Sequence, residues 1–324
     1  MNRARAWLLA AVALTAMIVG VSTGAVPLSL AAVWEGLRHG DTPVGGIVRG
    51  LRVPRVLLGF VVGGSLGVSG AALQALVRNP LAEPYILGLS GGAGLGAVAA
   101  IALDVGGAWA VPLAALAGAL SAIALVYRLS HVASHRIDPR VLLLAGVVVG
   151  SFATAVMSAI ITLSDAVHLR NAFLWLLGGL GGASWPALGL FASYAVLPLA
   201  LLFLNARSLD LLVLGEETAM HLGVDAQRSR RVVYFATALL TAASVAVCGI
   251  VGFVGLVVPH AMRRLFGSLH RPLLPAVFVA GGVLLVLADA LARTVVRPLE
   301  MPVGVVTALI GVPLFAVLLR KTLA

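Results

Sequence analysis

The chain has 324 residues, 61% of them hydrophobic and only 10% charged, with a mean hydropathy of +1.09. A water-soluble domain carries about 25% charged residues, so this sequence cannot cover a soluble surface and belongs in lipid. Its formal net charge of +10 does not mark a nucleic-acid binder, because the arginines stand singly or in small groups between apolar runs.

Taken in order, the apolar stretches fall at about 7–26, 54–77, 86–103, 109–129, 141–163, 186–205, 231–249, 250–266, 273–292 and 303–319. This predicts an all-α, polytopic integral membrane protein with about ten transmembrane helices. The first stretch follows Arg3 and Arg5 in the manner of a signal peptide. It is long enough to span and lacks a clear cleavage site, so a retained first helix is expected. The two stretches either side of Gly249 read as one run broken by Gly252, Gly255 and Pro259, which fits a span followed by a shorter or broken helix. No linker or soluble domain interrupts the series, so residues 1–324 are expected to form a single transmembrane domain.

Charge placement tests the count. With the N-terminus inside, Arg38, Arg49, Arg52, Arg55, Arg170, Arg293 and Arg297 fall outside. The remaining fifteen of the 22 Lys and Arg residues, among them Arg136, Arg320 and Lys321, fall inside. That asymmetry is the positive-inside bias of an N-in, C-in chain, and an odd number of spans would put one terminal cluster on the wrong side.

Glycines recur at four-residue spacing, with Gly59, Gly63 and Gly67 on one face of the second span and Gly88, Gly92 and Gly96 on one face of the third. Such faces let helices approach closely in lipid. The chain carries no HExxH, no GxSxG, no phosphate loop and no paired intramembrane aspartates. Its histidines, including His131 and His135, show no metal-ligand spacing, so neither catalysis nor a bound metal is expected. The single cysteine, Cys248, permits neither an intrachain disulfide nor a thiolate cluster. Asp289 is an acid within a span, which makes it a functional candidate. Its spacing to Arg293 favours an i,i+4 ion pair near the outer interface.

The longest inner loop, about 206–230, contains a short helix bracketed by Gly215 and Gly223. Glu216 and Glu217 sit in its first turn, where the helix dipole favours acid, and Gly223 suits a left-handed C-terminal cap. Either closing the loop or docking into a soluble partner accounts for these residues.

Long ordered motifs then carry a resemblance. Arg52-Val-Pro-Arg55, Arg78-Asn-Pro-Leu-Ala-Glu-Pro84, Gly88-Leu-Ser-Gly-Gly-Ala93, Leu214-Gly-Glu-Glu-Thr-Ala219, Gly252-Phe-Val-Gly-Leu-Val-Val-Pro-His260, Leu287-Ala-Asp289 and Glu300-Met-Pro-Val-Gly304 together resemble the permease subunits of ABC importers for iron chelates, haem and cobalamin. The cobalamin permease belongs to this family, and the likeness runs from about residue 50 to 320. It implies a type II ABC importer permease in the bacterial inner membrane. The permease would form a homodimer served by two ATPase subunits and a periplasmic substrate-binding protein.

By position, the resemblance implies that Gly215, Glu216, Glu217, Thr218, Ala219, Leu222 and Gly223 form the helix that couples to the ATPase. It gives Arg52, Arg55 and Arg293 the task of receiving acidic residues of the binding protein, with Arg297 as a further candidate. Bidentate pairing with carboxylates suits arginine at such a rim. The family's pathway lies along the dimer axis, lined by the fifth span and parts of the tenth. This points to Ser151, Thr154, Met157 and Ser158, although hydroxyls in a span also bond their own helix. ATP and magnesium would bind the partner ATPase, and no cofactor this chain. An iron(III)-siderophore is the broadest expectation for cargo, with haem and cobalamin next. The rival, an ion-coupled secondary transporter or channel, requires several charges at midplane, and the sequence supplies few.

Overall fold

The computed structural model describes residues 3–24, 26–134, 138–296 and 299–323, the side chains of 133–134 and 318–323 excepted. His135, Arg136, Arg297 and the side chains of Arg320 and Lys321, weighed in the sequence, lie outside the described residues.

The described elements are helical. α1 (Arg3–Ser22) is followed on the outer side by α2 (Leu30–Arg38) and α3 (Pro43–Gly45). A π-helical turn, Gly46–Arg52, leads into α4 (Val53–Val77). A tight turn at Pro84–Leu87 precedes α5 (Leu89–Ala102), which is followed by α6 (Ala110–Ser134) and α7 (Pro139–Leu163). Outside, α8 (Ala166–Leu176) comes before α9 (Trp185–Leu204). The inner loop carries α10 (Ala206–Leu214) and α11 (Glu216–His221). The chain ends with α12 (Ala226–Cys248), α13 (Val254–Phe266), α14 (His270–Ala292) and α15 (Val303–Leu323).

Among the described residues, seven helices are long and apolar enough to cross a membrane: α1, the continuous helix Pro43–Val77, α6, α7, α9, α12 and α14. Each of the ten expected stretches coincides with a helix, so the fold has about ten passes, some of them short. α13 has 13 residues, about 20 Å at 1.5 Å per residue, against a hydrocarbon core of about 30 Å. The run around Gly249 is therefore a full helix and a partial one.

The unwound stretch between α12 and α13 is held by side chains from the loop after α4. The Tyr85 hydroxyl donates to Val251 O at 3.0 Å and accepts from Val251 N at 3.2 Å. Glu83 Oε1 accepts from Phe253 N at 2.6 Å. Non-helical backbone at membrane depth survives only when its polar groups are satisfied inside the protein, and these two residues do that.

Several helices start earlier or later than hydropathy predicts, for local reasons. α12 begins at Ala226, not 231, because Asp225 caps it by accepting from Arg228 N. α14 begins at His270, not 273, because Asp210 from the inner loop accepts from His270 N at 2.8 Å. α5 starts at Leu89 because Gly88 turns the chain at φ +78°.

The centre of the fold is α4 against α14. A Cβ on Gly63 would collide with the Gly281 carbonyl, and one on Gly67 would come within 3.1 Å of Val277 O. The second glycine face does the same for α5, with Gly92 against Gly118 O and Gly96 against Ala114 O on α6. Both faces thus pack helices within one chain. The central helices are mostly buried, whereas α1, α6, α7 and α9 leave most of their surface to lipid or to another subunit.

Candidate functional site

Two groups of residues gather at opposite ends of the α4–α14 pair. At the outer end, Asp289 is buried and binds two arginines. Arg55 approaches it sideways, its Nε 3.1 Å from both carboxylate oxygens and its Nη2 2.9 Å from Oδ1. Arg293 Nε lies 2.9 Å from Oδ2. The i,i+4 pair expected from spacing is present, and a cross-helix pair to α4 is added to it. Glu300, from the loop before α15, accepts from Arg55 Nη2 at 2.9 Å.

The three rim arginines are not equivalent. Arg52 is 7% exposed, and its guanidinium donates to the carbonyls of Val21 (2.8 Å), Ser22 (3.0 Å) and Val26. Arg293 is 4% exposed and also donates to Thr23 O at 2.8 Å and Gly20 O at 2.9 Å. Both therefore close the end of α1, whose last carbonyls have no partner within their own helix. Arg55 keeps 16% of its side chain open, and its partner Glu300 keeps 45%. Of these three arginines, Arg55 is the one whose side chain stays partly open, and it shares that opening with Glu300.

At the inner end, α10 is tied to both central helices. Arg78 Nε, at the end of α4, donates to Leu212 O at 2.9 Å. Asp210 Oδ1 also lies 2.7 Å from His270 Nδ1 at the start of α14. Gly215 at φ +125° and Gly223 at φ +79° turn the chain into and out of α11, as the bracketing glycines suggest. Of the residues singled out there, Ala219 is buried and Glu216 is turned inward. Glu216 accepts from Arg230 Nη1 at 2.8 Å and Gln227 Nε2 at 3.2 Å. Glu217, Thr218, Leu222 and Gly223 are exposed, together with Met220 and His221. The result is a short knob fixed by its inner face, beside a polar cleft of about 810 Å³ that includes Arg78, Arg140 and Glu217.

On α7, the Thr154 hydroxyl donates to Gly150 O at 2.8 Å and that of Ser158 to Thr154 O at 2.9 Å. Their donors are thus spent on their own helix. Ser151 and Thr154 border a cleft of about 510 Å³ together with Gly88, Ser90 and Gly146. Met157 is half-buried, its sulfur facing Gly94 of α5.

Sequence reasoning passed over Glu83, Tyr85 and Glu300 as individual residues. An acid between prolines after a span end was the available sign for Glu83. Glu300 gave none, since its partner lies 245 positions away.

With this geometry in place, the relatives are informative. The family model of the FecCD transport family matches residues 11–321. The chain is 39% identical over 318 residues to the ABC transporter permease protein YvrB of Bacillus subtilis (strain 168), covering 94% of this chain and 90% of that one. It is 41% identical over 305 residues to the vitamin B12 import system permease protein BtuC of Escherichia coli (strain SE11), covering 92% and 91%. A metal-chelate type ABC transporter solved in an inward-facing conformation superposes with a TM-score of 0.88 at 30% identity, over 97% of this chain and 98% of that one. With this fold, these spans and near full-length matches, the chain belongs to the FecCD transport family as a multi-pass ABC importer permease of the inner membrane.

Proposed function

We propose that the chain forms a homodimeric pathway for a metal chelate, with an ATPase subunit below each copy and a substrate-binding protein above. The observation that carries this reading is the α4–α14 pair. Its outer end holds the Arg55–Asp289–Arg293–Glu300 cluster and its inner end holds the α10–α11 loop. A glycine-packed seam joins the two helices between those ends. Movement imposed on α11 by an ATPase would thus reach the outer rim through closely packed helices. This chain contributes no reactive group to ATP hydrolysis, and ATP and magnesium belong to the partner.

In this reading the exposed residues Glu217, Thr218, Met220, His221 and Leu222 contact the ATPase, while Glu216 and Ala219 hold the knob in place. Arg55 receives an acidic residue of the binding protein, which competes with Glu300 for the same guanidinium. Arg52 and Arg293 support that surface from beneath. Ser151, Thr154, Met157 and Ser158 lie on the helix that would border the pathway. Cobalamin is the preferred cargo, because curated relatives at 41% and 44% identity are named for vitamin B12 and cobalamin import. Haem and ferric siderophores are the remaining members of the class.

The test is reconstitution of the permease with its ATPase and binding protein in proteoliposomes, offering labelled cobalamin, haemin and a ferric hydroxamate separately. Uptake of one of them that requires both ATP and the binding protein is expected. Uptake driven by a proton or sodium gradient without ATP would overturn the proposal in favour of a secondary transporter.

A further inference from the structure

The first outer loop contains an element that the importer reading does not use. α2 is capped by Ser29, whose hydroxyl accepts from Ala32 N. Its other end is closed by Arg49, whose guanidinium donates to the Leu37 and Arg38 carbonyls. One face is fixed to the protein, since Gly36 is buried and a Cβ there would meet Val48 at 3.0 Å and Val44 at 3.2 Å. The other face carries Leu30, Trp34 and Leu37, all exposed, Leu30 by 65% and Trp34 by 58%. At a helical step of about 100° per residue, these three fall within an arc of about 60°. Glu35 and Arg38 are exposed on one flank of that arc, and the Arg38 guanidinium stands 4.6 Å from the centre of the Trp34 ring. An amphipathic helix on a water-exposed surface turns its apolar stripe inward. This one turns it outward.

We propose that α2 lies in the plane of the outer leaflet. The Leu30–Trp34–Leu37 arc would sit in the interfacial region of the bilayer, with Arg38 at the phosphate level. Continuity identifies lipid as the occupant. Leu14, Ile18 and Val19 are exposed on α1, a membrane-crossing helix, and Val26 is exposed in the connection to α2. The exposed apolar residues thus continue from a lipid-facing helix directly onto α2, which also packs against α1. Tryptophan and arginine with an apolar body and a polar tip settle at the headgroup level, and outward apolar arcs with charged flanks are the mark of interfacial helices.

The anchor bears on the rim, because Arg49 both caps α2 and, through its own carbonyl, accepts from Trp185 Nε1 of α9 at 2.8 Å. Arg52 and Arg55 follow within two turns of Arg49. The depth of α2 in the leaflet therefore fixes the height of the ionic rim above the lipid.

The experiment places a nitrobenzoxadiazole label on Trp34→Cys or on Glu35→Cys, each with Cys248→Ala. The labelled protein is reconstituted in vesicles of phosphatidylethanolamine and phosphatidylglycerol. The label at position 34 is expected to emit at shorter wavelength and to be quenched by lipids carrying a nitroxide high on the acyl chain. It should also be at least threefold less accessible to iodide than the label at position 35. Leu30→Cys provides an independent site with the same expectation. Equal iodide access at positions 34 and 35 without quenching by lipid overturns the proposal. Protection that appears only on adding the binding protein overturns it too, and assigns the face to that protein.

Discussion

At the outer rim, charge is balanced residue by residue. Asp289 and Glu300 match Arg55 and Arg293, so the four form a neutral cluster. Among the described residues Arg52 has no carboxylate partner; it is satisfied by the last two carbonyls of α1 and by Val26 O just beyond them, where the helix dipole favours a cation. Three arginines at one level thus divide into one that can exchange partners and two that hold the protein together. Exposed pairs contribute about 0–1 kcal/mol, so Arg55 can release Glu300 at small cost. Glu300→Gln should therefore tighten docking of an acidic binding protein a few-fold and steepen its salt dependence. Arg55→Glu should weaken docking at least tenfold, about 1.4 kcal/mol. Arg52→Ala should leave affinity near normal and instead lower stability by about 1–3 kcal/mol, since buried carbonyls lose their donor. Docking of the detergent-solubilised permease at two salt concentrations, together with Tm, checks all three. If Arg52→Ala weakens docking as much as Arg55→Glu at unchanged Tm, the division fails.

At the scale of the element, α11 is a six-residue helix, too short to be stable alone. It exists because Glu216 is tethered to Arg230, Ala219 is buried, and glycines at both ends take positive φ. A Cβ on Gly223 would meet nothing within 4 Å, so a substitution there acts through the backbone only. A left-handed conformation costs an ordinary L-residue about 1–2 kcal/mol, less for asparagine and more for a β-branched residue. Transport and ATPase retention should therefore fall in the order Gly223, Gly223→Asn, Gly223→Ala, Gly223→Val, with insertion unaffected. Pull-down of the ATPase and uptake in proteoliposomes measure this. Wild-type retention by Gly223→Val would remove α11 from the coupling interface.

At the scale of the whole molecule, the glycine faces that sequence assigns to internal packing are used within the chain, so any contact with a second copy would fall to other helices. Along α7, Leu144, Val147, Val148, Phe152 and Leu163 are exposed. A bare apolar helix face of that kind meets either lipid or a second copy. In a homodimer whose axis runs beside α7, Leu163→Cys at its outer end should form an intersubunit disulfide under mild oxidation in a Cys248→Ala background. Ser65→Cys, buried on α4 and close to the native side chain in size, should not. Crosslinking only through positions on α4 or α5 would place the axis elsewhere.

The sequence by itself determined the order of about ten apolar helices and the bracketed α11, and its arginine counts carry the expected orientation. All of these depend on local quantities: hydropathy along the chain, arginine counts between spans, and glycine where φ turns positive. It could also expect the Asp289–Arg293 pair, because i,i+4 spacing is a property of one helix. The tertiary structure alone decided which arginine of the rim faces outward. Asp289 meets Arg55 across 234 positions and Arg293 meets Gly20 across 273, and no periodicity encodes such distances. It also decided that Glu83 and Tyr85 satisfy the unwound backbone before α13. The same was true of the apolar face of α2, which hydropathy passed over because a nine-residue helix with two charged residues averages to an ordinary loop. Burial and partner choice depend on which helices become neighbours, and that is settled only when the chain closes on itself.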